Sequence, residues 1–168
     1  MKEEAFNRLL PEERAKEKKP AKHRLPTDFH RGIELFGQQA SRLQEPGYRE
    51  LIAKCGIIVV EGFNDVLGLD QLGIPSVGIM SNKITEHQVA KIERFAKALA
   101  GGRVTLLFDA DDAGDAGAKE TLWLLAQRGL DVRLGWSKAM HGGKFKDRQP
   151  EDLTPEEWEQ FLLPNVSY

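Results

Sequence analysis

At 168 residues, and about 150 residues per domain, the chain is expected to hold one compact domain with a short extension. Its 24 basic and 26 acidic side chains exclude a global positive field that would grip nucleic acid unaided. A single cysteine, Cys55, excludes an intramolecular disulfide framework and a thiolate zinc cluster. No apolar run approaches the ~20 residues that span a bilayer, and charge begins at Lys2, so a cytoplasmic domain with no membrane association is expected.

Eight of the basic and five of the acidic groups fall in residues 1–25, which leaves 16 and 21 in the remainder. The stretch Lys16–Arg24 (KEKKPAKHR) has too little apolar surface to offset the entropy of ordering it. Residues 1–26 are therefore read as a flexible basic lead or linker, and 27–168 as the domain. Within it, Ile33, Phe36, Ala40 and Leu43 share one face of a helix that the spacing ends before Pro46-Gly47. Ile57-Ile58-Val59-Val60 is an unbroken β-branched run, the pattern of a strand covered on both faces in a parallel sheet.

A helix over Asn64–Leu72 follows, then a second strand at Val77–Met80. Thr85 and Gln88 form a capping box that starts the next helix. Val104–Phe108 is the third strand, and the helix from Ala113 to Gln127 stops before Gly129, with Ala118, Leu122, Leu125 and Ala126 on its inner face. Trp123 is expected to be a core anchor. Asp131–Trp136 alternates as a weaker strand nearer an edge. Thr154-Pro155-Glu156-Glu157 opens a C-terminal helical tail with a cap, an N1 proline and an N3 acid. The order β-α-β-α-β-α-β predicts an α/β fold with a four-stranded parallel sheet flanked by helices.

Parallel strands place all their C-termini on one rim, where ligands bind. The first strand ends in Glu61-Gly62-Phe63-Asn64-Asp65 and the third in Asp109-Ala110-Asp111-Asp112, so the topology brings Glu61, Asp65, Asp109 and Asp111 to that rim. Clustered carboxylates repel unless a cation neutralises them or one holds a proton. An oxygen-only donor set selects a hard cation, Mg²⁺ or Mn²⁺. The competing role for each acid is to cap a helix N-terminus. Asp109, Asp111, Gly114 and Glu120 also match part of a calcium-binding EF-hand loop, but a strand precedes them where a helix should stand. Asp-x-Asp after a strand is shared with haloacid-dehalogenase-type phosphatases, a scheme that leaves Glu61 unexplained. Lys83, after the second strand, is the candidate phosphate contact on the rim.

The segments VVEGFNDVLGLDQLGIPSVGIMSN and LLFDADDAGDAGAKETL together resemble the Toprim domain shared by bacterial-type DNA primases, type IA and II topoisomerases and several nucleases. The likeness is nearest to primases and covers residues 27–163. It implies a Toprim sheet, with Glu61 as general acid/base or metal ligand, Asp109 and Asp111 as the Mg²⁺-binding pair and Asp65 as a supporting acid. It also implies a primase-like nucleotidyltransferase making RNA primers on a DNA template, with DNA and NTPs as substrates and other primase domains or replication proteins as partners. Two alternatives stay open: a Toprim nuclease cleaving phosphodiesters, and a non-catalytic replication or repair adaptor. The chain departs from the primase pattern where Gln149 and Glu151 stand for two aspartates around a proline. Asp147 and Glu151 are the candidates for a second metal site. Residues 1–26 leave no room for the basic subdomain and zinc module that precede Toprim in primases.

Overall fold

The structure is a computed structural model, described here for residues 27–168; the predicted basic lead, 1–26, lies outside the described residues. The β-branched run forms β1 (Ile57–Val60), and every residue of it is buried. β2 (Ser76–Gly78), β3 (Arg103–Leu106) and β4 (Asp131–Leu134) join it in a four-stranded sheet of order β2-β1-β3-β4. All three pairings are parallel. β4 is an edge strand and its residues are exposed or half-buried, as its alternating sequence predicted.

Burial on both faces explains why β1 lacks alternation. Ile57 and Val59 pack under helices α4 (Glu86–Leu99) and α5 (Asp112–Gln127), through Val89, Ile92, Ala96, Ala118 and Leu125. Ile58 and Val60 face the other way, against Val66 and Leu69 of α3 (Phe63–Gln71) and against Trp136, Phe145, Trp158 and Leu162. The C-terminal tail therefore covers part of one face. Its short helix α6 (Pro155–Glu157) has the Thr154 capping box. The chain then takes a π turn over Trp158–Leu162 before α7 (Leu163–Val166). Pro164 has no N–H to give to the normal i−4 carbonyl, which favours this wider turn.

Four sequence expectations need correcting. The helix read across 33–43 is only α1 (Ala40–Leu43). Ahead of it, Phe36 exchanges backbone hydrogen bonds with Gly78 as an antiparallel bridge on the β2 edge, and Gly37 has φ of 78°. Pairing with the open edge outweighs the helical spacing of the apolar residues. Pro46, read as a stop, instead occupies the first turn of α2 (Pro46–Cys55), where its missing N–H costs nothing. Trp123 is 64% exposed on the outer side of α5 and is no core anchor; Ala126 is exposed too.

The segment before α1 is tied down by Gln88, 1% exposed. Its amide nitrogen lies 2.7–2.9 Å from the carbonyls of Arg31, Glu34 and Ile79. The Thr85 hydroxyl donates to Gly32 O. The predicted cap thus also anchors the chain leading into the sheet. Among the described residues no helix is long and apolar enough to cross a membrane.

Candidate active site

In the order β2-β1-β3-β4 the chain leaves β1 to one side and returns to β3 on the other. The connections after β1 and β3 consequently run over opposite faces, α3 on one and α5 on the other. The crevice between those two strand ends is the topological switch point at which open α/β sheets bind ligands. Glu61 directly follows β1, and Asp109 lies three residues past the end of β3.

The two loops touch there: the Asp109 N–H donates to Glu61 Oε1 at 3.2 Å. Asp65, buried in the first turn of α3, accepts from the Gly62 N–H at 2.8 Å. Asp111 is the N-cap of α5 and accepts from the Gly114 N–H at 2.7 Å. Asp65 and Asp111 therefore do serve helix termini, as the competing reading held. The caps also fix their carboxylates beside the other two acids. Gly114 permits this turn, since a Cβ there would stand 1.9 Å from Asp109 O.

Proximity and burial disturb the ionisation of these groups. Burial first, then the charge of Asp109, pushes Glu61 up to about 7, with Asp111 and Asp65 adding and the Asp109 N–H opposing. Asp109 rises to about 6 through burial, followed by the charges of Asp65 and Asp111, against a hydrogen bond from Gln149. Asp65 is raised as well, by burial and the charges of Glu151 and Asp152, against hydrogen bonds from the backbone N–H groups of Gly62 and Glu151. Glu61 and Asp109 thus each feel the charges of Asp65 and Asp111.

A profile of the Toprim-like family matches residues 58–147, more than half of the chain. The chain belongs to the Toprim-like family. The DNA primase of Aquifex aeolicus is 31% identical over 107 residues, which cover 62% of this chain and 19% of that protein. The DNA primase of Clostridium acetobutylicum is 32% identical over 79 residues, covering 46% and 12%. The crystal structure of the Aquifex aeolicus primase (zinc binding and RNA polymerase domains) superposes with a TM-score of 0.56 at 25% identity, over 90% of this chain and 35% of that one. The chain thus spans less than a fifth of the length of these two curated relatives.

The remaining candidates of this Toprim domain lie on the same rim with different surroundings. Asp147 is exposed, with φ of 61°. Its N–H donates to Ala110 O at 2.8 Å, while its charge acts on Lys138. Glu151 is exposed and lies near both Asp65 and Asp109, raising each. The close packing of its turn on α3 needs Gly68, where a Cβ would meet Glu151 Cα at 2.8 Å. Lys83 is exposed in the β2–α4 loop.

Among the described residues, no group of three or more His, Cys, Asp or Glu is drawn together tightly enough to enclose a metal ion. The donor chemistry nonetheless fits a hard divalent cation. The set is all oxygen, burial and neighbouring charge disfavour the ionised form of Glu61, Asp109 and Asp65 in a way that a cation would relieve, and Mg²⁺ keeps several waters while taking only one or two carboxylates. Sequence reasoning treated Gln149 only as a lost acid. The structure shows its Nε2 donating to Asp109 Oδ2 at 3.2 Å. That contact joins residues 40 apart, and no local pattern announces it.

Proposed function

We propose that this Toprim domain is the catalytic module of a DNA primase-like nucleotidyltransferase, making RNA primers on a DNA template with other domains or partners supplying template grip. The observation that carries this reading is the union of the Glu61 and Asp109–Asp111 loops at the β1/β3 switch point. The primase relatives support it.

Asp109 and Asp111, with Asp65 in support, would hold Mg²⁺ or Mn²⁺, and Asp147 and Glu151 would contribute to a second site. A cation there supplies neutralisation of the triphosphate and of the leaving pyrophosphate. Glu61 would take the proton of the attacking 3′-hydroxyl. A carboxyl raised to about 7 is divided between its two forms near neutrality, where a general base works best. Lys83 would meet a phosphate at the rim as a point charge. DNA and NTPs are the proposed substrates and the cytoplasm the proposed location.

Incubating the chain with Mg²⁺, labelled NTPs and single-stranded DNA, alone and with primase domains supplied separately, tests this. Labelled RNA made by the wild type and lost in Glu61→Gln supports the reading. Strand cleavage without synthesis would replace it with the nuclease.

A further inference from the structure

The turn over residues 147–152 lies across both acidic loops. Ala110, between Asp109 and Asp111, donates its N–H to Arg148 O at 2.9 Å and accepts from the Asp147 N–H at 2.8 Å. Two residues on, the Gln149 side chain reaches Asp109 Oδ2. Two further on, Glu151 packs against Gly68 of α3 and lies near enough to Asp65 to act on its carboxyl. One short segment thus holds Asp109 and borders Asp65, an acid from each motif.

Its own shape is fixed locally. Pro150 starts a 3-10 turn over Pro150–Asp152 and is buried, and Asp152 Oδ2 accepts from the Gln149 N–H at 3.2 Å. The Gln149 amide therefore projects from an anchored backbone. An amide NH₂ can only donate, and here it engages Oδ2 of Asp109 and not Oδ1. A carboxylate at position 149 would do the reverse, repelling Asp109 without a cation and adding a ligand with one.

We infer that Gln149 is a positioning residue, the amide that orients Asp109 for a single divalent cation. The inference rests on the metal-dependent reading above and adds a residue to it. Groups that orient a metal ligand from behind are worth about 10-fold or more in metal affinity, so the effect is measurable without turnover.

The test is Mn²⁺ binding to the full chain, followed by loss of the free-ion paramagnetic resonance signal. It compares wild type with Asp109→Asn, Gln149→Ala, Gln149→Met and Gln149→Glu, each checked by thermal melting. Gln149→Met keeps about the length of the side chain and loses the amide that donates to Asp109. The expected result is Mn²⁺ binding by wild type, its loss in Asp109→Asn, and binding about 10-fold weaker in both Gln149→Ala and Gln149→Met with little change in apo melting temperature. Gln149→Glu should melt lower without metal and take up more Mn²⁺ than wild type. Wild-type affinity in Gln149→Met, with Asp109→Asn still deficient, overturns the inference and leaves the metal reading standing. Equal binding by wild type and Asp109→Asn, or none by either, removes the metal reading and this inference with it.

Discussion

Replacing Glu61 with glutamine should make the metal-free domain more stable at pH 8 and leave it unchanged at pH 4. Glu61 titrates at about 7 in the folded chain against an ordinary value of 4.5. A raised folded value means that the native state binds the extra proton more tightly than the unfolded one. Stability is therefore complete below the unfolded value and falls as pH rises through about 7. At about 1.36 kcal/mol per unit, the full shift would cost roughly 3 kcal/mol at pH 8. Glu61 is half-buried and water screens part of this, so about 1 kcal/mol is the expected cost. Glutamine is nearly isosteric, keeps the oxygen that accepts from the Asp109 N–H and cannot ionise. Urea unfolding of both proteins in EDTA should show Glu61→Gln about 1 kcal/mol more stable at pH 8, or roughly 2–4 °C in melting temperature. The difference should close on acidification. Equal stability of the two proteins at pH 8, or a variant weaker there, would refute the claim that burial and the neighbouring acids strain this group.

Asp109→Asn should likewise stabilise the metal-free domain, by about 0.5–1 kcal/mol; Mg²⁺ at 10 times its Kd should raise wild-type stability by about 1.4 kcal/mol and the variant far less, in melts at matched ionic strength. Gly114→Ala pushes a Cβ into Asp109 O, 1.9 Å away, and should cost about 2–3 kcal/mol in urea unfolding while weakening Mg²⁺ stabilisation. Thr85→Ala removes the α4 cap and the bond to Gly32 O, and should cost about 1–2 kcal/mol with the Mg²⁺ response intact in the same melts.

What could be read from the sequence depended on how local its cause was. The run at Ile57–Val60 marks a strand because both faces are apolar, and Thr85 with Gln88 marks a helix start because the box closes within four residues. Parallel topology then brought Glu61 to Asp109 from two strand ends, although 48 residues separate them. Phe36 was misplaced because its partner is Gly78, on a strand edge that the local apolar spacing does not reveal. α2 was missed because Pro46 serves a helix start as readily as a stop. Trp123 was misjudged because its face of α5 carries no covering element among the described residues. The sharing of Asp65 and Asp111 between capping and the acidic rim was visible only in part. Sequence offered the two roles as rivals, whereas each cap orients its carboxylate beside Glu61 and Asp109.

The central claim is that Asp109 and Asp111 hold a divalent cation where the loops after β1 and β3 meet. Anomalous diffraction from crystals of the full chain grown with Mn²⁺ tests it most directly. The account predicts a manganese peak in coordination contact with the Asp109 and Asp111 carboxylates, within reach of Glu61 and absent from Asp109→Asn crystals. Manganese bound elsewhere while that position stays empty would contradict it.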